Sequence, residues 1–140
     1  MSEQYSTFYV GDLFFGIEVV KVQEVLRYQE MTGVPLAPEG VRGLINLRGQ
    51  IVTALDMRHR LGLTPRPPEV TPMNLVMQSD EGAVSLLVDE IGDVLEVDSD
   101  CYERVPDTLP AAQREMIAGV CKLDGKLLLV LNTERAMQMQ

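Results

Sequence analysis

The stretch VRGLINLRGQIVTALD, residues 41–56, shows how this chain is built. Two apolar runs, 43–47 and 50–55, flank the dipeptide Arg48-Gly49, which predicts two short strands joined by a tight turn. Asp56 follows and is expected to cap a short helix over residues 57–61, which Gly62 would end. Short strands, tight turns and brief helices are therefore the expected elements.

The same pattern recurs on both sides of this stretch. A hairpin is expected around Gly11-Asp12, and the other strand-like runs are residues 73–78, 83–88, 92–97, 117–122 and 126–131. A short helix is possible within residues 106–115, and Asn132 is expected to cap a helix over residues 133–139. The proline-rich segment 65–72 is the best linker candidate. Nine or ten short strands predict an all-β, barrel-like fold.

Residues 19–27 have a different pattern. Val19, Val22, Val25 and Leu26 recur at helical spacing, which predicts one or two helical turns. So short a helix cannot bury both Val22 and Val25, and Glu24 would lie beside them.

The composition excludes several classes of function. The formal net charge is −9 and aromatic residues make up 5% of the chain, with no tryptophan. An acidic surface repels phosphate, and few aromatic side chains can stack on bases, so an oligonucleotide-binding barrel is disfavoured. The longest apolar run, residues 127–131, is far too short to span a membrane. No apolar signal segment follows the N-terminus, so a cytoplasmic protein is expected.

No residue pattern indicates catalysis, a cofactor or a metal. His59 is the single histidine, and the two cysteines, Cys101 and Cys121, are not spaced as a metal or redox motif; free thiols are expected. Most acidic pairs, including Asp89-Glu90, lie at predicted turns or strand ends, where solvated charge is the ordinary expectation. A small hydrolase using Cys or Asp chemistry is a remote alternative.

Several short motifs are similar, in order and spacing, to those of one family. The Asn-Leu-Arg-Gly turn at 46–49, with Glu24 upstream and Val88-Asp89 downstream, resembles the CheW family of chemotaxis coupling proteins. Further matching motifs are Val34-Pro35-Leu36-Ala37-Pro38, Ile117-Ala118-Gly119-Val120, Asp124-Gly125-Lys126 and Leu131-Asn132. The chain has Thr53 and Met57 where the family often has a proline and a leucine.

The resemblance implies both a fold and a role. The fold would be a single CheW-like domain over residues 1–140, made of two five-stranded SH3-like barrels that share a hydrophobic core and divide near residues 65–72. The protein would be a non-catalytic adaptor between the cytoplasmic tip of methyl-accepting chemoreceptors and a CheA-type histidine kinase. It would bind no nucleic acid and insert into no membrane. The alternative is a CheW-like module that redirects a kinase in a gliding or type IV pilus pathway without contacting a receptor.

The resemblance also implies two sets of contact residues. The receptor side would use Val22, Glu24, Val25 and Arg48, and the kinase side would use Ile51, Met73, Val105 and Asp107. For Ile51 and Met73, the alternative is that both are core strand residues. Glu24 and Arg48 would form a bidentate bridge that fixes two exposed elements relative to each other; the alternative is a plain surface salt bridge. Gly43 and Gly49 are expected to serve tight turns or close backbone approach.

Overall fold

The computed structural model describes residues 2–38, 40–79 and 82–138. The strands are β1 (Ser2–Val10), β2 (Leu13–Glu18), β3 (Val22–Leu26), β4 (Val41–Leu47), β5 (Gln50–Asp56), β6 (Met73–Ser79), β7 (Gly82–Val88), β8 (Glu90–Asp98), β9 (Tyr102–Glu103), β10 (Ile117–Leu123) and β11 (Lys126–Leu131). The α-helices are α1 (Met57–Arg60), α2 (Ala111–Met116) and α3 (Thr133–Met137). Single 3-10 turns form at Val19–Lys21 and Ser99–Cys101. The predicted all-β fold with a few short helices is confirmed.

The strands form two sheets, of five and six strands. The five-stranded sheet has the order β3-β6-β7-β5-β4, and the six-stranded sheet has the order β8-β1-β2-β11-β10-β9. Most neighbours are antiparallel, but each sheet contains one parallel pair, β5 with β7 and β11 with β2. The strand content agrees with the expected pair of five-stranded units, apart from the two-residue β9 in the second sheet.

The chain passes between the sheets at two places. The first is the 3-10 turn Val19–Lys21, and the second is Asp89, between β7 and β8. The proline-rich segment 65–72 lies elsewhere, between α1 and β6, within the residues that supply the five-stranded sheet. The first hairpin and the last hairpin therefore belong to the same sheet.

One apolar core joins the two sheets. Its largest cluster combines Phe8 and Phe15 of the six-stranded sheet with Leu55, Leu75 and Leu86 of the five-stranded sheet. The rings of Phe8 and Phe15 stack with centroids 5.4 Å apart. The expected shared core is present, and burial of this apolar surface is the main force that holds the sheets together.

The helix predicted over residues 19–27 is wrong. Only the 3-10 turn forms, and the chain continues as β3, in which Val25 pairs with Leu75 of β6. Side-chain exposure alternates along β3, as expected for a strand that covers a core on one face. Pairing with β6 overrides the apolar spacing, and β-branched valines suit a strand better than a helix.

The predicted helix caps are confirmed. The Asp56 carboxylate accepts a hydrogen bond from the Arg58 backbone N–H at 3.1 Å, at the start of α1. The Asn132 side chain accepts one from the Arg135 N–H at 3.2 Å, at the start of α3. Helix α3 ends at Met137, and the last residue predicted for it, Met139, lies outside the described residues. Among the described residues, no helix is long and apolar enough to cross a membrane.

Candidate protein interface

The turn between β4 and β5 holds Arg48 away from the sheet. Arg48 and Gly49 both have positive φ angles, 53° and 85°, as the central residues of a type I′ hairpin turn do. The Asn46 side chain accepts a hydrogen bond from the Gly49 backbone N–H at 3.0 Å and supports the turn. An arginine in this left-handed conformation is uncommon, because its Cβ crowds the backbone. The turn leaves the Arg48 side chain 71% exposed.

Arg48 forms an ion pair with Glu24 on β3. Strands β3 and β4 are the two edges of the five-stranded sheet, and Arg48 Nη2 donates to Glu24 Oε2 at 2.5 Å. The hydrogen bond with Glu24 raises the pKa of Arg48. The pairing of β3 with β6 shifts between Val22 and Glu24, which indicates a β-bulge just before the carboxylate. The ion pair predicted between these residues is present and links one edge of the sheet to the hairpin at the other.

The geometry of this pair differs from the predicted two-armed bridge. A single carboxylate oxygen of Glu24 accepts from Arg48, while the other, Oε1, is buried and has no hydrogen-bond partner. The Glu24 side chain is 17% exposed. The exposed Arg48 side chain is therefore held by a carboxylate that is itself largely buried.

The other two predicted receptor-side residues differ in their surroundings. Val22 is partly buried and packs against the shared core, whereas Val25 is 38% exposed. The structure thus brings Glu24 and Arg48 into contact and places Val25 next to Glu24 on the same strand. Val22 contributes mainly to packing.

The predicted kinase-side residues are dispersed. Ile51 on β5 is 59% exposed, and Asp107 is exposed in the loop before α2. Met73 at the start of β6 and Val105 are partly buried and pack against the shared core. Strand β7 separates β6 from β5, so Met73 and Ile51 do not lie on neighbouring strands. The alternative of a core strand residue therefore describes the packing of Met73 and not that of Ile51.

The two predicted structural glycines have different roles. Gly49 occupies the turn, as expected. Gly43 lies within β4, where a Cβ atom would stand 2.7 Å from the backbone oxygen of Thr32. Thr32 pairs with Leu44 beside it, so Gly43 permits a close approach of two backbone segments and makes no turn.

Asp89 is the centre of a buried ion cluster that the sequence did not reveal. Its carboxylate accepts from Arg58 Nε at 3.0 Å and Nη2 at 2.6 Å, from Arg66 Nε at 2.8 Å, and from the Gly11 backbone N–H at 2.7 Å. The Asp89 side chain is only 10% exposed, so the expectation of a solvated strand-end carboxylate is wrong for this residue. The Asp-Met-Arg and Val-Asp-Glu motifs were visible in the sequence, but their contact was not.

The cluster joins four separate segments of the chain. Arg58 comes from α1, Arg66 from the proline-rich segment, Gly11 from the β1–β2 turn and Asp89 from the connection between the sheets. Arg66 also lies 3.5 Å from Asp56. Burial alone would raise the pKa of Asp89, but the hydrogen bonds from Arg58, Gly11 and Arg66 lower that pKa to about 2. This cluster fixes the two sheets relative to each other.

No catalytic constellation emerges from the described residues. His59 is exposed at α1, and among the residues that the structure describes no group of three or more His, Cys, Asp or Glu side chains is arranged to hold a metal ion. The notable surface features are instead an exposed arginine anchored by Glu24 and isolated exposed apolar side chains. Such features suit protein contacts better than chemistry.

Comparison with known proteins gives one consistent family. The family model described as "CheW-like domain" matches residues 4–140. A chemotaxis protein CheW from Rhizobium meliloti is 32% identical over 127 residues, which cover 91% of this chain and 82% of the relative. A probable chemotaxis protein CheW from Rhizobium etli is 28% identical over the same length and coverage.

A solved structure agrees with these relatives. The crystal structure of the scaffolding protein TtCheW from Thermoanaerobacter tengcongensis superimposes with a TM-score of 0.84 and 25% identity. The match covers 94% of this chain and 90% of that protein, so both sheets are included.

Proposed function

The chain belongs to the family of CheW-like domains, which are scaffolds for chemotaxis signalling and not enzymes, and we propose that it couples chemoreceptors to a CheA-type histidine kinase. In this role it would act in the cytoplasm, reaching the membrane only through the cytoplasmic tip of methyl-accepting chemoreceptors. It would need no cofactor and bind no nucleic acid.

The observation that carries the proposal is the match over residues 4–140, which spans both sheets. A coupling protein must hold two contact surfaces in a fixed relation. Here the shared core and the Asp89 cluster tie the two sheets together. A rigid body of this kind can transmit the position of one partner to another.

We assign the receptor side to Val22, Glu24, Val25 and Arg48. Arg48 is largely exposed and uses Nη2 for Glu24, so other guanidinium N–H groups point toward solvent and can donate to a partner. Val25, the next residue of the edge strand β3, adds exposed apolar surface on the face of the strand opposite to Glu24. An apolar spot with a polar rim is the usual anatomy of a modest, reversible interface. In this proposal Glu24 acts by holding Arg48 in place.

We assign the kinase side to Ile51, Met73, Val105 and Asp107. Ile51 supplies the exposed apolar contact, and Asp107 supplies an exposed charge. Met73 and Val105 pack against the core, so they would support the kinase-binding surface from the protein interior. Ile51 lies three residues after Arg48 on one hairpin, so the two proposed faces adjoin each other there.

The test of the receptor side is a double-mutant cycle on the ion pair. Glu24→Arg and Arg48→Glu are each expected to weaken binding by about tenfold. The double exchange restores an ion pair and is expected to recover only the part of the loss that comes from breaking it, because position 48 still lacks its guanidinium group. Binding is measured against a cytoplasmic chemoreceptor fragment and the CheA-type kinase of the same cell. Thermal unfolding of each variant serves as the folding control.

The chain offers a matched control pair on the other sheet. Lys122 and Glu103 form an exposed ion pair with an N–O distance of 3.9 Å on β10 and β9. Lys122→Glu and Glu103→Lys should leave both affinities unchanged. Wild-type affinities in the Glu24 and Arg48 single variants would reduce that pair to an ordinary surface salt bridge. Kinase binding by the wild-type protein without receptor binding would favour the receptor-independent alternative.

A further inference from the structure

The two cysteines of the chain, 20 residues apart in sequence, are neighbours in the structure. Cys101 ends the 3-10 turn that follows β8, and Cys121 lies in β10. In the pairing of β9 with β10, Cys121 stands opposite Tyr102, the residue directly after Cys101. Both side chains pack in one apolar cluster with Phe14, Val97 and Leu128. The fold therefore brings together two thiols that sequence spacing did not relate.

The two thiols differ in exposure: Cys121 is buried and Cys101 is half-buried. Burial, followed by a side-chain hydrogen bond with Cys101, raises the pKa of Cys121 to about 12. Cys121 is thus held as a thiol, whereas the more accessible Cys101 is the side chain that a solution reagent meets first.

A small cavity lies beside this pair and reaches Cys121, whereas Cys101, which does not line it, is partly exposed in its own right. The cavity volume is about 190 Å³, and its walls include Cys121, Tyr5 and Tyr102. Three carboxylates, Glu3, Glu18 and Asp98, line the same cavity. Glu3 and Tyr102 are exposed, so the cavity communicates with the surface. Its acidic lining favours entry of small neutral molecules, such as a peroxide, over anionic reagents.

We propose that Cys101 and Cys121 form a redox-responsive dithiol, which a peroxide converts into an intrachain disulfide. The Cys101 thiolate attacks one peroxide oxygen and the O–O bond breaks; the leaving hydroxide takes up the proton that the Cys101 thiol had released, so the products are the sulfenic acid of Cys101 and water. The Cys121 sulfur then attacks the sulfenic sulfur; the S–O bond breaks, water leaves, and the thiol proton is transferred to it. In total, two thiols and one hydrogen peroxide give one disulfide and two waters.

The disulfide would tie the turn after β8 to the middle of β10. The segment Ser99–Glu103 pairs with β10 through the two-residue strand β9. Oxidation would therefore fix the edge of the six-stranded sheet and the wall of the cavity. This inference does not depend on the proposed coupling function.

The test is oxidation of the folded, reduced protein with hydrogen peroxide. Remaining thiols are then alkylated in denaturant, and the protein and its peptides are weighed by mass spectrometry. We expect both thiols to disappear together, a mass lower by about 2 Da, and a peptide pair that links Cys101 to Cys121 and separates on reduction. Cys101→Ser should leave Cys121 as a free thiol under the same treatment.

The inference is overturned by three results. One is oxidation of Cys101 to sulfinic acid while Cys121 remains a thiol. Another is a disulfide-linked dimer in place of the intrachain bond. The third is a Cys101–Cys121 bond that forms only when denaturant is present during the peroxide step. Cys121→Ala, which keeps Cys101 but removes its partner, should show the first or second result and so calibrates the assay.

Discussion

The two sheets of this protein differ in how they carry charge. Residues 19–88, which supply the five-stranded sheet, contain seven basic and seven acidic residues. The rest of the sequence, which supplies the six-stranded sheet, α2 and α3, contains five basic and fourteen acidic residues. The whole net charge of −9 therefore belongs to the second group of segments.

Exposed apolar side chains are distributed the opposite way. Among the described residues, nine large hydrophobic side chains are exposed, and six of them come from the neutral segments 19–88: Val20, Val25, Tyr28, Val34, Leu36 and Ile51. Like charge keeps copies of the protein apart, whereas neutral apolar surface lets a partner approach. The difference teaches that the five-stranded side supplies most of the exposed apolar surface that a partner could bind, whereas the other segments carry the charge that keeps the protein in solution.

If one side of the protein binds partners and the other side carries the charge, the two sheets must be held together. The Asp89 cluster contributes to that connection. We expect Asp89→Asn to cost about 3–5 kcal/mol of the free energy of unfolding, because it leaves Arg58 and Arg66 without their anionic partner. Urea unfolding measures the loss. Asp124→Asn, on the exposed turn between β10 and β11, is the control and should change stability by less than about 0.5 kcal/mol. A similar small loss for both variants would show that the cluster is not what joins the sheets.

The second prediction concerns acid. The pKa of Asp89 is lower in the folded protein, about 2, than its ordinary value of 3.8, so its contribution is complete above pH 3.8 and disappears as the pH falls toward 2. We expect the stability difference between wild type and Asp89→Asn to shrink by on the order of 1–2 kcal/mol over that range. Urea titrations at pH 6, 4, 3 and 2 measure it. A constant difference would mean that Asp89 titrates normally in the folded state.

Local signals explain which parts of the fold the sequence predicted. Asp56 and Asn132 cap their helices through backbone N–H groups two or three residues away, and the Arg48-Gly49 turn depends on its own two residues. By contrast, residues 22–26 form a strand because β6, about fifty residues later, pairs with them. Helical spacing of valines could not reveal that partner.

The candidate site was also predictable only in part, and the parts that were missed are contacts between residues far apart in the sequence. Glu24 and Arg48 were paired through the family resemblance, since neither residue alone specifies a contact 24 residues away. The Asp89 cluster was missed because its carboxylate resembles any acidic residue at a strand end until the fold brings Arg58 and Arg66 around it. The contact between Cys101 and Cys121 was missed for the same reason.

The third prediction tests whether docking belongs to the five-stranded side. Ile51 and Val94 have nearly the same exposure, 59% and 58%, but lie on β5 and β8, in different sheets. We expect Ile51→Glu to weaken kinase binding by about tenfold or more, because it places a charge in an apolar contact. Val94→Glu should leave the affinity unchanged. Both side chains are exposed, so neither variant should lower the unfolding temperature appreciably. Equal losses of affinity in both variants would remove the distinction between the sheets.

The fourth prediction, which has the smallest expected effect, concerns Arg48. It separates the backbone strain of the turn from the contribution of the Arg48 side chain to binding. The residue has a φ angle of 53°, a conformation that glycine adopts freely and a side chain with Cβ does not. Arg48→Ala and Arg48→Gly both remove the ion pair with Glu24, but only glycine relieves the backbone. We therefore expect the glycine variant to unfold about 2–4 °C above the alanine variant, as followed by circular dichroism or calorimetry. Receptor binding should fall equally in both, because both lack the guanidinium group. If the glycine variant bound as wild type does, the turn and not the charge would be the feature that the partner recognises.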